Sequence, residues 1–308
     1  MKFNYSIVKE NDIPAGANIV AIGNPEKTRV FDYVRIQSVD GVTVYYRFFY
    51  DGSFKKLITA CDCLVELTSG KKLSSARTNT LYKTIFSVLY TVHHVDTATQ
   101  KSKLAGINSL STSCLDNYMC LRRMQFEELI CSSCYAETQQ KYQHGTAERN
   151  IINGIILKNV VIPVKAWRTY YNNFDINSVF RFESFGDISN LIQVENYCNM
   201  CRAFPKVRFA AWTKNVFQWC YTFDRIGKPK NLSFVVSSPI IGKTVSSWII
   251  EKWGAYIDHV FTVYKKGAGT AINCGGRKCM DCIKKRKGCY YRKSEKAGGT
   301  FYINEELK

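Results

Sequence analysis

Four apolar, β-rich runs recur down the second half of the chain at near-constant spacing: Val179–Phe185, Val207–Trp212, Leu232–Val236 and His259–Tyr264. Counted from Phe180, Val207, Leu232 and His259, the intervals are 27, 25 and 27 residues. Each interval has room for one strand, one helix and their turns. That rhythm predicts βαβ units, whose crossovers generate a parallel sheet or an open barrel, so the chain reads as α/β. Gly145–Lys158 and Val160–Tyr171 read as helical or mixed and supply earlier units. Upstream, Phe31–Ile36, Thr43–Tyr50 and Leu64–Leu67 are strand-like, with turn chemistry at Asp40-Gly41 and Asp51-Gly52. They predict a small N-terminal β unit over residues 1–70. Ser74–His94 carries Leu81, Ile85, Val88, Leu89 and Val92 at helical spacing, predicting a helical linker within 71–103.

In parallel α/β architectures, functional sites lie at the carboxyl ends of the strands. Those ends read ESFGD (183–187), WTKN (212–215), SSP (237–239) and VYKK (263–266). Any one polar end is a candidate helix cap, Asp187 and Asn215 included. Four together point to a site.

Eight of the 13 cysteines fall into two tight sets, Cys114, Cys120, Cys131, Cys134 and Cys274, Cys279, Cys282, Cys289. In a reducing compartment, Cys-x-x-Cys with further cysteines nearby reads as a metal or cluster nest rather than a disulfide framework. A cuboidal iron–sulfur cluster held by Cys120, Cys131 and Cys134 leaves one iron open, and that iron can chelate S-adenosylmethionine. Cys114 as a fourth ligand closes the site and makes it structural, zinc or cluster. The terminal set accepts a four-thiolate zinc or a cubane cluster alike, and Gly275, Gly276 and Gly288 give its backbone freedom to wrap. Cys198 and Cys201 fall on one face of a helix, Cys61 and Cys63 alternate in a strand-like run, and with Cys220 they read as buried packing cysteines. Four scattered histidines and no phosphate-binding loop argue against a histidine-centred hydrolase or a nucleotide triphosphatase.

The N-terminus lacks a secretory pattern, and no apolar run approaches the roughly 18 residues of a membrane span, so a soluble, cytoplasmic protein without membrane contact is expected. A net charge of +18 attracts polyanions, and DNA or RNA is the expected partner. Lys265, Lys266, Arg277, Lys278, Lys284, Lys285, Arg286, Lys287, Arg292 and Lys293 surround the terminal cysteines, and Tyr290 and Tyr291 offer stacking faces.

The segments CSSCYAE, FRFESFGD, FAAWTKN, KPKNLSFVVSS and INCGGRKCMDC with CYY, between residues 104 and 308, together resemble the gene product 88 family of phage and mobile-element proteins. More distantly they resemble phage proteins with a C-x-x-C-Y-A motif that are treated as radical S-adenosylmethionine-like. The resemblance implies a partial (β/α) barrel of parallel strands over 104–266, with an iron–sulfur cluster near its amino-terminal end. It also implies an auxiliary cysteine-rich metal segment over 267–308. The cofactors expected on it are one or two [4Fe-4S] clusters and S-adenosylmethionine, with zinc the other occupant of the terminal site. The metal ligands are then Cys120, Cys131, Cys134, Cys274, Cys279, Cys282 and Cys289. The familiar radical-enzyme spacing is Cys-x3-Cys-x2-Cys, whereas the first gap here is ten residues.

On this reading Glu183, Ser184, Thr213 and Asn215 form the cofactor and substrate pocket, and Lys214 and Asp187 are the catalytic candidates. Lys214 is placed to neutralise a carboxylate or phosphate. An enzyme of this kind needs a flavodoxin- or ferredoxin-type reductant. The rival expectation is a non-catalytic nucleic-acid-binding protein whose cysteines hold zinc or inert clusters.

Overall fold

The computed structural model describes residues 48–93, 103–171, 179–268, 271–275, 278–286, 288–295 and 301–307. It also describes four strands nearer the N-terminus: Ile7–Val8 (β1), Ile19–Ala21 (β2), Tyr33–Gln37 (β3) and Thr43–Tyr46 (β4). The expected turn at Asp40-Gly41 lies outside the described residues, as do Gly276, Arg277 and Lys287.

Strands β1–β4 form a sheet of order β1-β4-β3-β2, so a small N-terminal β unit is present. The expected strand at Leu64–Leu67 is instead part of helix α1, Asp51–Thr68, which Asp51-Gly52 opens rather than turning a hairpin. Leu57, Ala60 and Leu64 repeat at three- and four-residue spacing and bury on one side, a helical period that local β-rich composition concealed. Cys61 and Cys63 ride on this helix, not on a strand. Helix α2, Ser75–Val88, follows, its first turn capped by Ser74 Oγ accepting from Arg77 N at 3.2 Å. It stops short of the expected His94, and Val92–His93 is the edge strand β5.

The main body alternates as the strand rhythm requires. After β6 (Asn108–Leu110) come α3 (Tyr118–Arg123), α4 (Tyr135–Tyr142), α5 (His144–Asn159) and α6 (Val164–Tyr170). Then β7 (Val179–Phe182), α7 (Leu191–Ala203), β8 (Arg208–Thr213), α8 (Val216–Ile226), β9 (Leu232–Ser237), α9 (Ser247–Trp253) and β10 (His259–Tyr264) follow. Helix α10 (Cys279–Lys284) and strand β11 (Tyr302–Glu306) complete the chain. The sheet has order β11-β10-β9-β8-β7-β6-β5 and is open. Its six strands from β11 to β6 are parallel and β5 is antiparallel.

Both faces of this sheet are covered, and for that reason central β9 is buried at all six positions. On one face Phe180, Phe182, Phe209 and Phe234 meet Tyr197 of α7 and Trp219 and Phe223 of α8. Phe182 stacks on Tyr197 with ring centroids 4.2 Å apart. On the other face Ile107 and Ala210 pack beneath Tyr290 and Tyr291, with Met280 and Ile283 alongside. The cysteine-bearing stretch after β10 is therefore the cover of the second face, and it connects two neighbouring strands, since β11 pairs with β10 from Val260↔Tyr302 to Tyr264↔Glu306. Cys198, Cys201 and Cys220 are buried packing residues. No helix among the described residues is long and apolar enough to cross a membrane.

Candidate functional site

The carboxyl ends of β6, β7 and β8 meet in one buried polar network. Glu183, directly after β7, takes a left-handed φ of 54°, unusual for a residue with a side chain. This turns its carboxylate inward, where Thr112 N and Thr112 Oγ1 donate to it at 3.0 Å each and Gln193 Nε2 at 2.7 Å. Tyr197 OH donates to it as well. Burial dominates these bonds and lifts the Glu183 pKa to about 7. Gly186 is required by close approach, because a Cβ there would meet Thr112 O at 2.5 Å and Glu183 Oε2 at 2.9 Å. Ser184 Oγ sits 2.9 Å from both Ser109 Oγ and Ser111 Oγ.

Asp187 ties β7 to β8. Its Oδ1 accepts from Thr213 Oγ1 at 2.6 Å and Ile188 N at 2.8 Å, and its Oδ2 from Lys214 N at 2.9 Å. Arg123 lies 3.7 Å from the same carboxylate and donates to Asn215 Oδ1 at 2.8 Å. Asn215 Nδ2 in turn donates to Ile188 O at 2.6 Å. All six polar residues expected at these strand ends are thus brought together. Five of their side chains are committed to one another or to the backbone, and Lys214 Nζ makes no hydrogen bond among the described residues. Burial, the largest influence, depresses the Lys214 ammonium, but Cys131, Asp187, Cys134 and Cys120 together outweigh it and its pKa is raised.

The first cysteine set surrounds this network. Cys114 follows β6 and is 1% exposed. Asn117 caps α3 by accepting from Cys120 N at 3.2 Å, and its Nδ2 donates to Asp187 O at 2.7 Å, which fixes Cys120 beside the strand ends. Cys131 sits in a single 3-10 turn, Ile130–Ser133, moored to the end of β9 by Ile130 N donating to Pro239 O at 2.9 Å. Cys134 is the N-cap residue of α4.

Cys114 donates to the Cys134 sulfur and receives Gln140 Nε2 at 3.1 Å. That donated bond, helped by the Glu137 and Ala136 amides and Lys214, brings the Cys134 pKa down to about 6 against the opposing effect of burial. The bond to Cys134, followed by burial, pushes the Cys114 thiol up. Burial first raises Cys120 and Cys131, the latter opposed by Lys214 and Arg123. Tyr135, 58% exposed, closes the edge of the site by donating to Ser184 O.

The terminal set is assembled by different means. Asn273 N and Cys274 N donate to Asn304 O, and Cys279 N donates to Lys103 O at 2.9 Å. Ser233 Oγ of β9 donates to Cys289 O at 2.7 Å. Cys274, Cys279 and Cys282 lie within range of one another's charge, and Cys289 within that of Cys274 and Cys279. Tyr290 and Tyr291, expected as stacking faces for nucleic acid, are 1% and 8% exposed. They are buried because the apolar second face of the sheet needs a cover. Lys284, Lys285 and Arg286 remain exposed.

As they stand, no three His, Cys, Asp or Glu side chains among the described residues converge as ligands of a single metal ion. The donors of each set are sulfur only, a chemistry that zinc and an iron–sulfur cluster accept alike, with positive groups (Lys214 and Arg123; Lys103 and Arg181) on hand to offset thiolate charge. Arg123, Gln193, Tyr197 and Gln140 were not legible as site residues. The one available signal was the pair Gln193 and Tyr197, polar groups four residues apart on an otherwise buried helix face.

The family model described as "Gene product 88" matches residues 68–303. No curated protein and no solved structure matches the chain.

Proposed function

The chain belongs to the gene product 88 family of phage proteins, and on that footing we propose that it is an iron–sulfur enzyme of radical S-adenosylmethionine type on a partial (β/α) barrel. The observation that supports this reading is that the segments bearing Cys114, Cys120, Cys131 and Cys134 are all anchored around the carboxyl ends of parallel strands, where such architectures place their chemistry. Cys120, Cys131 and Cys134 would hold a [4Fe-4S] cluster. Cys114, deeper and already engaged with Gln140, would stay outside the ligand set as a hydrogen-bonding neighbour of Cys134. When bound, such a cluster supplies the electron that cleaves the sulfonium of S-adenosylmethionine. Cys274, Cys279, Cys282 and Cys289 hold an auxiliary cluster or a zinc ion.

The chain's own residues do the rest. Asp187 fixes the β8 terminus and with Asn215 positions Arg123. Glu183 and Ser184 shape the wall, and Lys214 meets the anionic end of cofactor or substrate. With a net charge of +18 and Lys284, Lys285 and Arg286 exposed, nucleic acid or a nucleotide is the favoured substrate class. A small electron-transfer protein of flavodoxin or ferredoxin type is the reductant.

Anaerobic purification with iron and sulfide analysis tests the reading, followed by an assay for 5′-deoxyadenosine released from S-adenosylmethionine under a strong reductant. A brown protein with acid-labile sulfide that releases deoxyadenosine is expected. Cys131→Ser and Cys134→Ser should remove the first cluster, and Cys114→Ala should retain it. Colourless protein carrying only zinc rejects the enzyme and leaves the nucleic-acid-binding rival, whose affinity must then fall steeply with salt.

A further inference from the structure

Arg181 shares the second face of β7 with Val179, and its neighbours across the sheet are small: Ser109 of β6 and Ala210 of β8 are its register partners. The guanidinium lies 4.3 Å from the centre of the Trp212 ring. It forms no ion pair with a carboxylate among the described residues. Its Nε is buried without a hydrogen-bond partner. Beside it is the hydroxyl of Tyr290, a residue 1% exposed, which makes no bond of full hydrogen-bond geometry and whose nearest polar interaction is with Arg181 itself. Tyr135 from the first cysteine site and Cys279 and Cys289 from the second lie within range of its charge, so the group sits between the two sets.

An arginine placed in this way is expensive. A cation held partly away from water is unfavourable unless it is paired, and so is an unmade bond at a buried donor. Two buried donors that at best satisfy each other poorly, Arg181 Nε and Tyr290 OH, lie where the walls are Ser109, Ala210 and an aromatic ring. Arg181 and Trp212 are each only partly buried, so the cradle is open on one side. The terminal thiols lie within range of the charge but leave Nε without an acceptor in hydrogen-bond geometry, and the complement that fits is an anion with at least two oxygens, which a planar guanidinium engages in parallel.

We propose that Arg181 and the Tyr290 hydroxyl form an oxyanion-binding site on the second face of the sheet, between the two cysteine sets, taking the phosphate ester or carboxylate of the substrate. This site is separate from Lys214, which belongs to the strand ends, and it requires no particular metal in either cysteine set.

The test is equilibrium dialysis of the full-length, anaerobically purified protein against a 5′-mononucleotide and, in a parallel arm, a short dicarboxylate. Iron and sulfide are measured on every sample. Saturable binding of at least one probe is expected, and the arm that saturates identifies the anion. Arg181→Gln should weaken it roughly tenfold or more, Arg181→Lys should restore part of it, and Tyr290→Phe should weaken it severalfold with metal content unchanged. No saturable binding in either arm, or affinity unaltered in Arg181→Gln, overturns the proposal. So does an Arg181→Gln protein that loses terminal metal while keeping its anion affinity, since Arg181 is then only a counter-charge for thiolates. Absence of iron with Arg181-dependent anion binding would remove the iron–sulfur reading and leave this site standing.

Discussion

The two cysteine regions gather similar donors by opposite means. The first is held by polar bonds: Asn117, Asp187, Arg123 and Gln140 link loops that follow three separate strands, and only Cys114 and Cys131 among its thiols are buried. The second relies on packing together with backbone bonds, with Tyr290 and Tyr291 sealing the sheet, Met280 against Gly106, and Cys274 N and Cys279 N bonded to the carbonyls of Asn304 and Lys103. A hydrogen-bonded frame fixes direction, which suits a site that must orient a ligand. A packed frame fixes mere presence, which suits a site whose occupant stays in place.

Mutations divide the two regions. The largest effect is expected from Tyr290→Ala, which empties an aromatic-sized volume at the second face and should cost about 4 kcal/mol in denaturant unfolding. If the cysteine sets carry metal as proposed, it should release metal from the terminal set while the first set keeps its own. Asp187→Ala should come next, at roughly 3 kcal/mol, because Thr213, the Lys214 amide and Arg123 lose a buried acceptor together. Metal loss should then be confined to the first set. If either variant strips both sets equally, the two regions are one cooperative unit and the contrast fails.

Acidity separates the regions further. Glu183 holds its proton to about pH 7 when folded against an ordinary value of 4.5, so between these values the folded state binds more protons than the unfolded. Stability should therefore fall as pH rises from about 4.5 to 7, by up to about 3 kcal/mol. Glu183→Gln should flatten that slope in chemical denaturation at a series of pH values, and an unchanged slope would place its source elsewhere. The smallest effect is expected for Tyr291→Phe, which removes the bond to Ile283 O at 2.9 Å and should cost about 1 kcal/mol with little change at the strand ends.

The strand rhythm is legible in the sequence because β7 to β10 are apolar and evenly spaced, β8, β9 and β10 at six residues each, and the polar strand ends follow from it. The short strands β5 and β6 carry too few residues to show a period. β11 was hidden because its sequence, YINEE, is polar at an edge where only one neighbour must be matched. The Leu64–Leu67 error arose from reading composition over four residues where a three- and four-residue period needed a longer window. The cysteine sets were visible by spacing, but the partners that orient them, Arg123 and Gln140 above all, come from short helices whose exposed residues look ordinary until the fold turns them inward. Tyr290 and Tyr291 were misjudged for a related reason: a basic neighbourhood suggests solvent, and burial was decided by a sheet face far away in the chain.

The parallel pairing of β10 and β11 has a consequence for assembly. Parallel neighbours cannot be joined by a tight hairpin, so the chain must travel across the sheet and back before its last strand finds its place. The stretch bearing Cys274 to Cys289 is that journey. The final strand acts as the latch of a clasp, and a chain deprived of Tyr302–Glu306 should lose not a decorative end but the closure that keeps the second face dry.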